Sequence, residues 1–223
     1  MGEPTRIRAP ELPDKLEWFN TDQALTLRGQ RGKVVLLDFW SYCCINCMHV
    51  LPDLRYLENK YPETLTVIGI HSPKFENERI GTQLQKAINR HHISHPVAQD
   101  PTFQLWRAYG IKAWPSVIFI DPEGYVVGVL RGEGRRKQLD ELISKHLDEA
   151  EEKGVLKYSP TTVSLKPEAD SMLRFPGKVL ATRNNLYIAD SGRNRILETY
   201  HDGKIRRCFG SGTAGMLDGC ETA

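Results

Sequence analysis

Residues 34–40 form a short apolar run that is interrupted only by Asp38. A run of this length without regular polar alternation is typical of a β-strand buried on both faces. Apolar residues then recur at helical spacing over residues 45–61. The pattern predicts a central strand that passes through a tight turn into a helix, with Pro52 kinking that helix.

Further strands and helices are predicted on both sides of this pair. Residues 116–121 and 125–130 flank a proline- and glycine-containing turn, which predicts an antiparallel hairpin. The other predicted elements are a buried strand at 65–71, helices at 77–92, 103–109 and 138–152, and an extended piece at 95–99. Residues 1 to about 30 form an entry segment, which should pack on the sheet through Leu16, Trp18, Phe19, Leu25 and Leu27. This order predicts an α/β domain, a mixed central sheet with helices on both faces.

The character of the chain changes after residue 150. Residues 151–171 are charged and contain two prolines, so we predict a linker there. Four short strands follow at 178–182, 186–190, 195–200 and 205–209, separated by polar turns. Four consecutive antiparallel strands are typical of one blade of a β-propeller. The predicted organisation is thus an N-terminal segment (1–15), an α/β domain (16–150), a linker (151–171) and an all-β fragment (172–223).

Composition narrows the range of partners and compartments. Thirty basic and 28 acidic residues leave a net charge of +2 in 223 residues, so nothing indicates a nucleic-acid or anionic-membrane partner. Residues 1–14 are rich in proline and charge and lack the apolar core of a signal peptide. We therefore expect a cytoplasmic protein without a membrane span. An odd number of cysteines, five, favours catalysis or metal binding over a disulfide framework.

Cys44 and Cys47 lie where the predicted strand passes into the predicted helix. The unpaired N–H groups and the dipole at a helix N-terminus favour a thiolate over a thiol, so we expect Cys44 to be a nucleophile. Cys47 lies one turn into the helix and faces back, close enough to form a disulfide with Cys44. An exposed attacking cysteine beside a shielded resolving cysteine is the arrangement that thiol–disulfide exchange requires.

The same stretch also allows a metal-site hypothesis. Cys43, Cys44 and Cys47, followed by His49, supply three thiolates with or without an imidazole, and such ligands suit zinc. However, adjacent cysteines point in divergent directions, and no second Cys-x-x-Cys or spaced histidine pair completes a set. We therefore expect no metal. The remaining histidines of this half are interpreted as structural or exposed: His71, His91, His92 and His95.

Several of these features occur together in one known fold. The run 38–40, the Cys44-x-x-Cys47 pair, the helix-interior Pro52 and the sequence 109–115 before a strand resemble a thioredoxin-fold protein. Within that superfamily, residues 39–47 and 67–75 resemble the redoxin-type branch, which includes proteins that join this domain to NHL repeats. The resemblance covers roughly residues 15–150.

The resemblance assigns roles at the cysteine pair. It makes Cys44 the attacking cysteine and Cys47 the resolving one. Asp38 matches the buried acid that assists proton transfer to and from the resolving cysteine. Taken alone, an aspartate in an apolar strand is more often a structural acid, but burying a carboxylate without a partner is costly and calls for a reason. The catalytic residues implied are therefore Cys44, Cys47 and Asp38.

The resemblance also implies a substrate-binding surface. Pro115 matches the family's cis-proline, which faces the cysteine pair, while its neighbour Trp114 offers backbone to an extended substrate segment. Ile45 and Asn46 stand where the family usually has Gly-Pro, so they alter access to the pair. Cys43 occupies a position where tryptophan is common, and we interpret it as a packed thiol or a regulatory third cysteine.

The C-terminal fragment has a resemblance of its own. The strings 175–177, 185–196 and 202–204 resemble an NHL repeat. One blade cannot form a propeller, because each repeat buries its apolar face against a neighbour. The chain stops at Ala223, where a loop to a second blade would begin. We therefore expect a truncated product of a longer protein, with protein partners for the full-length propeller and with Cys208 and Cys220 incidental.

Two functional hypotheses follow. The first is a thiol–disulfide oxidoreductase that needs no cofactor and reduces a disulfide-containing protein substrate, with electrons from an unidentified donor. The second is a binding scaffold whose propeller recruits partners and whose thioredoxin-like domain is structural or redox-sensing. Replacing the cysteines distinguishes them, because an enzyme loses its activity and a scaffold keeps its partner. No separate peroxidatic cysteine supports a peroxidase.

Overall fold

The computed structural model describes residues 6–166 and 171–215. They form two units: residues 6–166 belong to the first and residues 171–215 to the second. The first unit contains, in chain order, β1 (Ile7–Arg8), β2 (Glu17–Phe19), β3 (Val34–Trp40), α1 (Ile45–Lys60), β4 (Leu65–His71), α2 (Gly81–Arg90), β5 (Val97–Gln99), α3 (Gln104–Ala108), β6 (Ser116–Ile120), β7 (Tyr125–Arg131) and α4 (Arg136–Glu152).

The strands of the first unit form one mixed sheet with β3 at its centre. The strand order is β1-β7-β6-β3-β4-β5-β2. β3 is parallel to β4 and antiparallel to β6, and all seven of its residues are buried. A strand flanked by strands and covered on both faces explains the continuous apolar run. The predicted α/β fold is confirmed.

Alternating side chains of β3 enter two different layers of the core. Val35, Leu37 and Phe39 face a cluster that includes the buried Leu12 and Leu27 of the entry segment. Side chains at even positions point the other way, because successive residues of a strand alternate. Val34 and Leu36 pack in a second cluster, which includes residues from α1 and α4. Asp38 has the same parity, so its side chain projects from the face that α1 covers.

The entry segment packs on the sheet as predicted. Phe19 and Leu27 are buried, and Leu16, Trp18 and Leu25 are partly buried against the core. The predicted hairpin is also present. In its turn the Tyr125 N–H donates to Asp121 Oδ1 over 2.8 Å, and Gly124 has a positive φ of 85°. Glycine tolerates that conformation, which is why the turn sequence was informative.

The predicted helix at 77–92 is shorter than the pattern suggested. A single 3₁₀ turn spans Glu76–Arg79, and α2 begins only at Gly81. Ile80 between them has extended backbone dihedrals. This break lets Glu78 turn inward, where it is completely buried. The periodicity of the apolar residues could not show the break, because Ile80 fits the helical spacing although it is exposed.

The first part of the predicted linker is attached to the first unit. The Lys157 N–H donates to Gly32 O, and the Ser159 N–H donates to Glu63 O. Lys33 is nearly buried, and its ammonium group donates to Ser159 O over 2.9 Å and to Thr161 Oγ1 over 3.1 Å. Residues 153–166 therefore lie along the domain without regular secondary structure. They supply acceptors for a buried cation, which composition alone could not reveal.

The second unit is a four-stranded antiparallel sheet. Its strands, in spatial order β11-β10-β9-β8, are β8 (Pro176–Ala181), β9 (Asn185–Asp190), β10 (Arg195–Tyr200) and β11 (Ile205–Phe209). The predicted all-β fragment is confirmed. Buried Asp190 accepts hydrogen bonds from the Arg174 N–H and from Arg195 Nε. Cys208 is half-buried, and Cys220 lies outside the described residues.

None of the helices in the described part of the chain combines the length and the apolar character needed to cross a bilayer.

The packing of α1 on β3 generates a stability prediction. Leu54 of α1 is fully buried, so Leu54→Ala should lower the free energy of unfolding by about 2–5 kcal/mol through lost burial and a residual cavity. Leu165→Ala, at an exposed leucine, should change it by less than about 0.5 kcal/mol. Urea denaturation measures both. Similar losses for the two variants would contradict the assigned core.

Candidate active site

The cysteine pair occupies the first turn of α1. The Cys44 N–H donates to Ser41 O over 3.1 Å, which closes the turn after β3. Cys44 is the N-cap of α1, and its Sγ accepts a hydrogen bond of 3.3 Å from the Cys47 N–H. Both thiols are free. The sulfur of Cys44 therefore occupies the place where a helix N-terminus stabilises negative charge.

Cys44 and Cys47 differ less in their exposure to solvent than the sequence suggested. Cys47 is 1% exposed, as predicted for a shielded resolving cysteine, but Cys44 is only 6% exposed. The expectation of an exposed Cys44 is wrong, because its side chain packs in a cluster with Trp40 and Leu51. The neighbouring Ile45 is 67% exposed instead.

The resolving position favours the protonated thiol. Burial raises the pKa of Cys47, and a hydrogen bond with Cys44 raises it further. The negative charge of Asp38 acts in the same direction. Cys47 is therefore a thiol at neutral pH, and it needs a base before it can attack a disulfide.

Asp38 supplies a carboxyl group whose charge acts on the resolving cysteine. It is completely buried, and neither of its oxygens has a hydrogen-bond partner among the described residues. Burial raises its pKa to about 7; His95 opposes this shift and Glu58 adds to it. A carboxyl group that titrates near neutral pH can accept a proton and give it back under the same conditions.

The predicted substrate-binding residues surround the pair. The Trp114–Pro115 peptide bond is cis, so that expectation is confirmed. Trp114 is half-buried, packs against the cluster that contains Cys44 and Cys47, and donates from Nε1 to Ser72 O over 3.1 Å. Ile45 and Asn46 are exposed in the first turn of α1. Trp114 and the cysteines thus belong to one packed cluster although 66 residues lie between Cys47 and Trp114 in the chain.

A buried polar cluster beneath the turn was not found by sequence reasoning. Ser41 Oγ donates to Glu78 Oε2 over 2.6 Å, and His71 Nε2 lies 3.3 Å from the same oxygen. All three side chains are buried. Burial alone would raise the pKa of Glu78, but the nearby His71 ring and hydrogen bonds from Ser41 and Cys43 outweigh it and lower the pKa. The segment around Glu78 is charged, so its composition favoured an exposed turn.

Cys43 is exposed and differs electrostatically from its neighbours. Partial burial of its thiol raises its pKa, and the hydrogen bond to Glu78 adds to this effect. Cys43 is therefore held as a thiol. His49 does not join it, because its ring contacts Glu133. Within residues 6–166 and 171–215 no three His, Cys, Asp or Glu side chains are grouped to hold a metal.

Comparison with known proteins agrees with this geometry. Residues 32–126 match the thioredoxin-like family. The first unit has the thioredoxin fold. A thiol-disulfide isomerase from Corynebacterium glutamicum has the same fold, with a TM-score of 0.56 and 28% sequence identity over 62% of this chain and 96% of that structure.

Longer relatives combine this domain with further sequence. Protein SUPPRESSOR OF QUENCHING 1, chloroplastic, of Arabidopsis thaliana is 45% identical over 195 residues, which are 84% of this chain and 18% of that protein. NHL repeat-containing protein 2 of Bos taurus is 37% identical over 220 residues, 96% of this chain and 30% of that protein. The chain thus spans less than a third of these relatives. They support its place among thioredoxin-like proteins linked to NHL repeats.

The burial of Asp38 generates a pH-dependent stability prediction. Because its pKa of about 7 lies above that of an unfolded aspartate, the native chain binds more protons between pH 4 and 7. The contribution of Asp38 to the free energy of unfolding should therefore fall by about 4 kcal/mol as pH rises through this window. Asp38→Asn should remove that loss and become more stable relative to wild type as pH increases.

Urea denaturation at pH 4, 6 and 8 in a reducing buffer measures this difference. Asp22→Asn, at an exposed carboxylate, is the matched control and should keep the pH dependence of the wild type. A difference between Asp38→Asn and wild type that does not change with pH would contradict a neutral, buried Asp38.

The Ser41–Glu78 contact generates a second prediction. Ser41→Ala leaves a buried carboxylate with one donor fewer and should lower the free energy of unfolding by about 1–3 kcal/mol. Ser72→Ala is the control, because Ser72 is equally buried but its hydroxyl lies 3.5 Å from Asp100 Oδ2. The control should lose less than half as much in urea denaturation. Equal losses would show that the short bond to Glu78 adds nothing.

Proposed function

We propose that this chain is a thiol–disulfide oxidoreductase that reduces protein disulfides. One observation carries the proposal: Cys44 caps the N-terminus of α1, and the buried thiol of Cys47 lies one turn further, where the charge of the buried Asp38 carboxyl group acts on it. This arrangement provides an attacking sulfur, a resolving sulfur and a base for the resolving step.

The proposed reaction has two exchange steps. The Cys44 thiolate attacks one sulfur of the substrate disulfide, forms a mixed disulfide and releases the other sulfur as a thiolate that takes a proton from water. Cys47 then gives its proton to the Asp38 carboxylate and attacks Cys44 Sγ. The second substrate sulfur leaves as a thiolate and is protonated by water. The substrate gains two electrons, and Cys44 and Cys47 become a disulfide that a thiol donor must reduce.

The environment of the pair favours the reducing direction. A strong oxidant of this class stabilises its reduced, thiolate form. Here burial disfavours a thiolate at Cys47, so that stabilisation is missing at one of the two sulfurs. We propose a cytoplasmic setting, where thiols are kept reduced and disulfides are mostly transient. The cis-Pro115 and Trp114 would receive an extended substrate segment, with Ile45 and Asn46 at its edge.

One observation favours the alternative of a scaffold. Cys44 is 6% exposed, so a protein disulfide must displace neighbouring groups to reach its sulfur. A redox-sensing or structural domain would not need that access. In this second hypothesis the NHL propeller of a full-length protein recruits protein partners, and Cys43, the exposed thiol, carries the redox response.

Cysteine variants distinguish these hypotheses. The wild type and Cys43→Ser should show a reversible two-electron transition in dithiol/disulfide buffers, with a midpoint potential of about −270 mV. Cys44→Ser should lose it, and Cys47→Ser should accumulate a mixed disulfide with a disulfide-bonded substrate peptide. Mass-tag trapping of free thiols measures each state. A transition that depends on Cys43, or a pair that stays reduced throughout, would favour the second hypothesis.

A further inference from the structure

Four buried polar atoms at or near Asp38 form a group of unpaired donors and acceptors. They are the two carboxylate oxygens of Asp38, the indole nitrogen Nε1 of Trp40 and the ring nitrogen Nε2 of His95. None of them has a hydrogen-bond partner among the described residues, and all three residues are buried. Buried polar atoms in folded proteins are nearly always paired, so a group of unpaired ones needs a reason.

The glycine beside Asp38 shows how these atoms converge. Gly69 on β4 is the direct register partner of Asp38 on β3, and paired residues of neighbouring strands project from the same face of the sheet. A Cβ at position 69 would lie 3.0 Å from Trp40 Nε1, 3.1 Å from Val97 Cγ2 and 3.4 Å from His95 Nε2. His95 Nε2 therefore points into the space that the missing side chain leaves next to Asp38.

The other side of the His95 ring leads outward. His95 Nδ1 lies 3.3 Å from Glu58 Oε2, and the Glu58 side chain is 24% exposed. Both residues line a surface cavity between α1, the segment before β5 and residues 160–165. Glu58 lies about three turns beyond Cys47 on α1, roughly 16 Å along the helix axis. This opening is thus separate from the N-terminal end of α1, where a substrate disulfide would bind.

We propose that Glu58 and His95 form a proton relay between Asp38 and solvent, and that both act as positioning residues for the resolving step. This inference rests on the proposed thiol–disulfide exchange. When Cys47 gives its proton to Asp38, the new carboxylic acid passes it to His95 Nε2, directly or through a bridging water. His95 releases its Nδ1 proton to Glu58, which passes it to water in the cavity. The imidazole accepts one proton and gives up another, so its charge is unchanged.

The surroundings of Asp38 offer no alternative carrier of this kind among the described residues. The ionisable groups that interact electrostatically with Asp38 are Cys47 and Glu58 on α1 and His95 in the segment before β5. On β6 its register partner is the apolar Val117, and on β4 it is Gly69. Cys47 is the group that Asp38 serves, so His95 with Glu58 is the remaining route outward.

The test measures the two exchange steps separately in the full chain. The reduced chain reacts in single turnovers with a disulfide-bonded synthetic peptide between pH 5 and 9. The attack step is measured in a Cys47→Ser background, and the resolving step in chains with both cysteines. His95→Gln replaces the imidazole with an amide of similar size that cannot accept and release a proton, and Glu58→Gln removes the outer acceptor.

We expect His95→Gln to slow the resolving step about tenfold between pH 6 and 8 and to shift its pH profile, while the attack step stays within twofold of wild type. Glu58→Gln should slow resolution about threefold. Added imidazole should restore at least half of the resolving rate in His95→Ala. His146→Gln, at a partly buried histidine paired with Glu149 on α4, should match wild type in both steps.

Wild-type resolving rates and pH profiles in both His95→Gln and Glu58→Gln would overturn the relay and leave the proposed function intact. Equal slowing of attack and resolution would also overturn it, since that result indicates a general structural role. A wild-type chain that forms no mixed disulfide overturns the proposed function and the relay with it.

Discussion

The complete burial of β3 is the constraint on which the rest of the structure depends. Its odd-numbered side chains pack under the N-terminal segment and its even-numbered side chains pack under α1 and α4. Because both faces are filled, the strand has one register with β4 and β6. The turn that follows is then fixed at Ser41 and places Cys44 at the N-terminus of α1.

Burial at this position also creates the chemistry of the site. Asp38 lies in the same strand as the apolar residues around it, and the cost of ionising a buried carboxyl group brings its pKa to about 7. The same low-polarity surroundings keep Cys47 protonated. Burial in the core therefore explains both why Asp38 can act as a base near neutral pH and why the Cys47 thiol needs one. The packing that stabilises the fold adjusts the proton chemistry of the pair.

Irregular segments provide partners for two of the buried polar side chains, Glu78 and Lys33. Glu78 reaches Ser41 because the chain breaks its helical path at Ile80, and Lys33 finds acceptors because residues 153–166 lie along the domain. Each contact satisfies a group that would otherwise be costly to bury. The irregular segments thus complete the domain as much as the regular elements do.

Much of this protein could be predicted from its sequence. Apolar periodicity predicted β3, β4, α1 and the hairpin of β6 and β7, since spacing reports which faces of an element are buried. The Cys-x-x-Cys pair at a strand-to-helix turn indicated thiol chemistry, and its family resemblance indicated the cis bond at Pro115. These features are local, or they belong to a motif whose residues recur at fixed spacing.

Only the tertiary structure decided how the polar residues meet. Spacing could not place Glu78 beneath Ser41 or bring His95 and Glu58 to Asp38, because these interactions join segments that are distant in the chain. Sequence periodicity distinguishes buried from exposed positions, but it carries no information about which buried polar atoms face each other. That pairing depends on strand order, register and the breaks between elements, which the packing of the whole domain determines.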